Sequence, residues 1–143
     1  MEVVIKIGRE ASFKGTGYNS CRYFRPGATS ISGKVAYCQL DNALDLSGYQ
    51  QISFRVLWDY AASGTHSQSN VVSLRLCTDT QGDTSVHTIS VPTPAGDDAD
   101  VWHTVTVDLG TNLNSSIQSV ALHWDVATTH AQDEIILDNI IAC

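Results

Sequence analysis

The residues of this 143-residue chain able to do acid–base, nucleophilic or metal chemistry are five histidines, fifteen acids and four cysteines. The histidines are His66, His87, His103, His123 and His130. None sits in a nucleophile motif, and Gly-x-Ser-x-Gly is absent. A nucleophile–base–orienter triad therefore has no anchor. Asp97, Asp98 and Asp100 cluster behind Pro-Thr-Pro-Ala-Gly, which reads as a solvated acidic loop. Glycoside cleavage by paired carboxylates has no better support than that cluster. The glycine-rich motifs that cradle phosphates are missing. Cys21, Cys38, Cys77 and Cys143 are too far apart for a Cys-x-x-Cys site, and all three disulfide pairings stay open. Free buried thiols are the expectation in the absence of secretion. Asn114-Ser-Ser is a formal glycosylation sequon that the same absence leaves unused.

Binding offers more than catalysis. Arg55, Arg75, His123 and Asp125 fall on the polar register of three alternating segments, and Tyr60 follows Trp58 into a loop. If those segments are neighbours, Arg55, Arg75, His123 and Asp125 form a face able to hydrogen-bond a saccharide or a protein, with Tyr60 a further binding candidate, against the plainer reading of a solvated sheet face. Trp58 and Trp124 fall on the apolar register and read as core. Trp102 begins a further segment and also reads as packing. Asp138 interrupts an apolar closing segment. A buried carboxylate needs a partner: a structural calcium, an Arg, or backbone N–H groups.

The elements that must position these residues repeat with period two. Ile52, Phe54, Val56 and Trp58 alternate with Ser53, Arg55 and Asp59; Val72, Leu74 and Leu76 alternate with Ser73, Arg75 and Cys77. The segments 86–91, 102–109 and 119–125 alternate likewise, as half-buried strands do. Residues 134–142 leave almost no polar face, which predicts a central strand buried on both sides. Weaker strands are expected near Val3–Ile7 and Lys34–Leu40, and one short helical turn within 41–48. Turn residues at 25–27, 47–48, 63–64, 81–83 and 92–96 punctuate the chain, and 60–70 and 92–101 read as loop tips. About eight short strands of this kind predict an all-β, antiparallel β-sandwich of the jelly-roll type. We expect one domain over 1–143, with 1–32 an N-terminal arm plus first strand and 33–142 the sandwich body.

Composition narrows the partners. Hydrophobic residues make up 43% of the chain and charged residues 16%, which excludes the low-hydrophobicity, high-charge profile of disorder. The net charge of −7 weighs against nucleic acid. No apolar run is long enough for a membrane-spanning helix, so membrane insertion is not expected. Met-Glu-Val-Val-Ile-Lys-Ile lacks the plan of a signal peptide, so we expect cytoplasmic synthesis followed by release as a virion or extracellular assembly. Residues 1–75 hold all eight basic residues against five acids, a net +3; residues 76–143 hold ten acids and no Lys or Arg, a net −10. That split suits charge-complementary stacking of neighbouring copies.

The segment order also resembles jelly-roll carbohydrate-binding modules. Leu44-Asp-Leu-Ser-Gly-Tyr-Gln-Gln-Ile-Ser-Phe-Arg-Val56 is similar to the stretch leading into a core strand there. Trp102-His-Thr-Val-Thr-Val-Asp-Leu109 resembles a later strand, and Ile136-Leu-Asp-Asn-Ile-Ile141 the closing one. The resemblance covers roughly residues 33–142. It implies that Asp138 helps hold a structural calcium, the only cofactor expected. Ile135-Ile-Leu-Asp-Asn-Ile-Ile-Ala-Cys143 is similar, more loosely, to a stretch in virion tail and fibre proteins of tailed bacteriophages. Together these imply a non-catalytic module attaching to surface glycan, to neighbouring copies or other virion subunits, or to both. A purely structural assembly subunit is the first alternative, and a glycoside-active enzyme the second.

Overall fold

The computed structural model describes residues 3–4, 21–24, 31–60, 72–92, 101–128 and 133–143, with side chains over 32–58, 72–92, 101–125 and 135–143. Those residues form β1 (Val3–Val4), β2 (Cys21–Phe24), β3 (Ile31–Leu44), β4 (Gln51–Tyr60), β5 (Val72–Cys77), β6 (Ser85–Val91), β7 (His103–Asp108), β8 (Ile117–Thr128) and β9 (Asp133–Ala142). Every pairing is antiparallel. The first sheet runs β1-β9-β4-β7, with β2 also paired to β9; the second runs β3-β8-β5-β6. The molecule is a jelly-roll β-sandwich, as the alternation predicted.

The alternation also sets the core. Ile52, Phe54, Val56 and Trp58 of β4 and Val120, Leu122 and Trp124 of β8 point between the sheets and are buried. Trp58 and Trp124 meet across the interior, ring centroids 6.4 Å apart and planes at 67°, an edge-to-face contact. Trp58 satisfies its indole by donating Nε1–H to the Pro92 carbonyl at 3.0 Å. Each aliphatic or phenylalanine side chain buried here contributes about 1.5–3 kcal/mol. On β7, Val105 and Val107 are only partly buried because that strand is a sheet edge.

Two expectations need correction. β9 is central in its sheet, yet it is not buried on both faces: Ile136 and Ile141 are half-buried. Its pairing with β4 sets Ser53 against Ile141 and Arg55 against Asp138, so that Asn139 and Ile140 of β9 face the single residue Phe54 of β4. Asn139 takes the slack with φ at 51°. The extra residue transposes the faces, so Ile135 and Leu137 point inward before the bulge and Ile140 and Ala142 after it. Two out-of-phase alternations thus read as one apolar run. Nor is there a helical turn within 41–48. β3 runs through Leu44, and the chain then turns tightly. Ser47 donates its N–H and hydroxyl to Asp45 Oδ1 at 3.0 and 2.7 Å, Tyr49 N–H reaches the Leu46 carbonyl, and Leu46 is sunk in the core. An Asp side chain competing for the backbone in this way favours a turn over a helix.

Candidate functional site

The outer face of the second sheet gathers most of the expected binding residues. Strand register lines up Tyr37, Ala121, Arg75 and Thr88 across β3, β8, β5 and β6. The next row is Lys34, His123, Ser73 and Ser90. Asp125 lies two residues beyond His123 on the same face of β8. Arg75 Nη2 pairs with Asp125 Oδ1 at 2.8 Å, and its Nε donates to Ser73 Oγ at 3.2 Å. The guanidinium is therefore held flat along the sheet between two strands. Both partners keep over a quarter of their side-chain surface in water.

A hairpin loop covers the Cys77 end of this face. Between β5 and β6 the chain folds back over the sheet, and Gly82 lies so close that a Cβ there would stand 2.9 Å from the Cβ atoms of both Ala121 and Tyr37. Its φ of 76° is also one that side chains disfavour. Asp79 organises the loop: Oδ1 accepts the N–H groups of Gln81 at 2.7 Å and Asp83 at 3.1 Å, and Oδ2 accepts those of Asp83 and Thr84. Burial works against the Asp79 charge, but the N–H groups of Thr84, Asp83 and Gln81 outweigh it and hold the carboxyl well below the usual range. β8 ties the loop down from below, where Gln118 Nε2 and Ser119 Oγ donate to the Thr78 and Asp79 carbonyls, each at 2.6 Å. Lys34 holds the far side, donating to the Gln81 carbonyl at 2.8 Å and to Asp83 Oδ1 while its ammonium sits 5.0 Å from the Tyr37 ring centre. These contacts explain why Ser119 and Ala121 are buried on a face that points away from the core.

His123 lies beside the loop. Burial lowers its pKa, with the Arg75 and Lys34 charges acting in the same direction; Asp125 and the Gly82 backbone oppose them. Its Nε2 is buried with no hydrogen-bond partner among the described residues. Tyr37 is 45% exposed, the most accessible tyrosine among the described residues. Sequence reasoning missed Tyr37 and Lys34, because β3 shows no clean alternation and its register shifts at three places.

Arg55 is not part of this face. β4 belongs to the first sheet, so Arg55 points out from the opposite side of the sandwich. Its guanidinium carbon lies 4.8 Å from the centre of the half-buried Trp102 ring. Its direct neighbours are Thr104 on β7 and Asp138 on β9. Tyr60 ends β4, and its side chain lies outside the described residues, as do His66, His130, Asp97, Asp98 and Asp100.

Asp138 Oδ1 accepts the N–H of Asn139 at 2.9 Å, so a backbone group meets part of the carboxylate's need. Among the described residues no group of three or more His, Cys, Asp or Glu side chains could hold a metal ion. Cys77 is a free, buried thiol and Cys143 a free, exposed one; Cys38 is buried. The Asn114 of the sequon is half-buried, and its Oδ1 accepts the Ser116 N–H at 2.8 Å.

No family model and no curated protein matches the sequence. Solved structures do match. Over 99% of its length the chain is similar to the arabinose-bound α-L-arabinofuranosidase MgGH51, at 13% identity and a TM-score of 0.51, and it spans 22% of that enzyme. It is also similar over 99% of its length to a family 11 carbohydrate-binding module from Clostridium thermocellum in complex with a β-1,3-1,4-mixed-linked tetrasaccharide, at 14% identity and a TM-score of 0.47, spanning 94% of that chain. A structure of infectious bursal disease virus, Gt strain, matches 95% of the chain at 13% identity and a TM-score of 0.35 over 35% of its own length. At these identities the likeness is one of fold.

Proposed function

We propose that this chain is a non-catalytic, carbohydrate-binding-module-like β-sandwich that attaches to glycan through the outer face of its second sheet. One observation carries the reading. The exposed Tyr37 ring shares a row with Arg75, whose guanidinium Asp125 and Ser73 already hold in place. An aromatic ring offers an apolar surface to the C–H face of a sugar. A fixed donor–acceptor pair orients its hydroxyls without first being ordered, which lowers the cost of binding. Strand spacing puts β3 and β5 about 9–10 Å apart, with β8 between them.

The test is affinity electrophoresis in gels carrying β-glucan, xylan, arabinan or galactomannan. The wild-type chain is slowed by at least one, and Tyr37→Ala and Arg75→Ala each weaken that retardation about tenfold, a loss of ~1.4 kcal/mol. Wild-type mobility unchanged in every gel overturns the reading.

The proposed setting is a virion or a comparable assembly, resting on the resemblance of residues 135–143 to phage tail and fibre proteins and tested by mass spectrometry of purified particles. The charge split favours the structural-subunit reading. That reading requires association that weakens between 20 and 500 mM salt, as screening of complementary charges demands; a salt-independent monomer in light scattering removes it.

A further inference from the structure

Arg55 sits on a second polar site, back to back with the first. Its guanidinium lies against the indole of Trp102, 4.8 Å from the ring centre. Register sets Thr104 and Asp138 directly on either side of it, in the row Thr104–Arg55–Asp138 across β7, β4 and β9. Arg55, Trp102 and Asp138 are half-buried, and Thr104 is exposed. One step along the strands, Thr106 donates to Ser53 Oγ at 3.1 Å, so the polar strip continues along the sheet. Among the described residues Arg55 forms no ion pair, unlike Arg75 and Lys34.

We infer that the Trp102–Arg55–Asp138 face of the first sheet is a second binding site, for a neutral saccharide. Charge selects the occupant. An arginine and an aspartate occupy neighbouring register positions, so the row carries no net charge. An anionic group approaching Arg55 also meets Asp138 on the next strand, and a cation approaching Asp138 meets Arg55. A neutral polyol uses both, its hydroxyls accepting from the guanidinium and donating to the carboxylate and to Thr104. The flat guanidinium–indole pair supplies the surface on which a sugar ring lies.

This site stands apart from the one on the second sheet. The two sheets pack about 10 Å apart, and the sites point in opposite directions. One glycan strand does not reach both, so a single molecule bridges two.

The experiment uses the full chain as wild type, Arg75→Ala, Arg55→Gln, Trp102→Ala and the Arg75→Ala/Arg55→Gln double variant. Each is run in gels of the four neutral polysaccharides and of polygalacturonate, with thermal melts as the control for folding. Arg55→Gln removes the guanidinium and its charge but leaves a polar side chain and an intact Trp102, so it reports on the site if Trp102→Ala disturbs the edge. We expect retardation by a neutral polysaccharide to survive in Arg75→Ala and to fall about tenfold further in the double variant. We also expect the wild type, but neither Arg55→Gln nor Trp102→Ala, to raise the turbidity of a dilute solution of that polysaccharide. If the double variant migrates like Arg75→Ala, this site is overturned while the second-sheet site stands. If Arg75→Ala matches the wild type and Arg55→Gln abolishes retardation, the second-sheet reading fails and this one holds. Retardation through Arg55 by polygalacturonate alone overturns the neutral occupant, and no retardation of the wild type in any gel overturns both sites.

Discussion

His87 accepts the Asn114 N–H at Nε2 across 2.9 Å, so the bond exists only while the ring is neutral. Burial lowers the pKa of His87, as it does that of His123. Both folded values therefore lie below the unfolded value near 6.5, and the unfolded chain binds more protons in that window. Their contribution to stability is full above about pH 6.5 and is lost as pH falls through the depressed values. We expect the urea midpoint to drop between pH 7.5 and pH 5, and His87→Gln, which still offers an acceptor, to shrink that drop. An unchanged pH dependence in His87→Gln assigns the effect elsewhere. Asp45 and Asp108 titrate in a lower window. Hydrogen bonds from Ser47 lower the pKa of the first, and the Gly110 N–H and the Gln51 amide that of the second. Little of this was legible beforehand. Counting in twos put Arg75, His123 and Asp125 on the polar register of their strands but did not set β5 beside β8, and the partner of His87 lies in a loop that no periodicity marks. Tyr37 was hidden by the irregular pairing of its strand.

At the scale of elements, the β5–β6 hairpin and the β9 bulge hold what counting in twos does not reach. The turn at 81–83 could be read from Gln-Gly-Asp, but not its fold back over Ala121. Gly82→Ala tests that placement. A left-handed backbone alone costs about 1–2 kcal/mol, and the new methyl also meets Ala121 and Tyr37. We expect a loss of at least that size in chemical denaturation, with weaker glycan retardation because Tyr37 moves. A loss well under 1 kcal/mol means the loop does not lie on the sheet. In β9 the apolar run concealed a phase change, because a bulge is one residue in a conformation that Asn tolerates without advertising. Sheet membership was equally silent. Arg55 and Arg75 occupy the same register of similar strands, and only long-range pairing sends them to opposite sides of the molecule.

For the whole molecule, the order of the strands carries a consequence for its synthesis. β9 bonds to β1, β2 and β4, and β8 bonds to β3 and β5. Each is the hub of its sheet, and they are the last two strands of the chain. Until residues 117–143 have left the ribosome, β1, β2 and β3 lack every strand partner they have among the described residues. Among the described strands only the β4–β7 and β5–β6 ribbons then have both members, and two-stranded ribbons are marginal in water. The nascent chain thus waits with its apolar strands open, and both sheets close when β8 and β9 arrive. We expect ribosome-stalled chains ending at residue 116 to be cut rapidly by a dilute protease, and chains with all 143 residues outside the exit tunnel to resist it. Protection appearing before β8 emerges excludes that order of assembly.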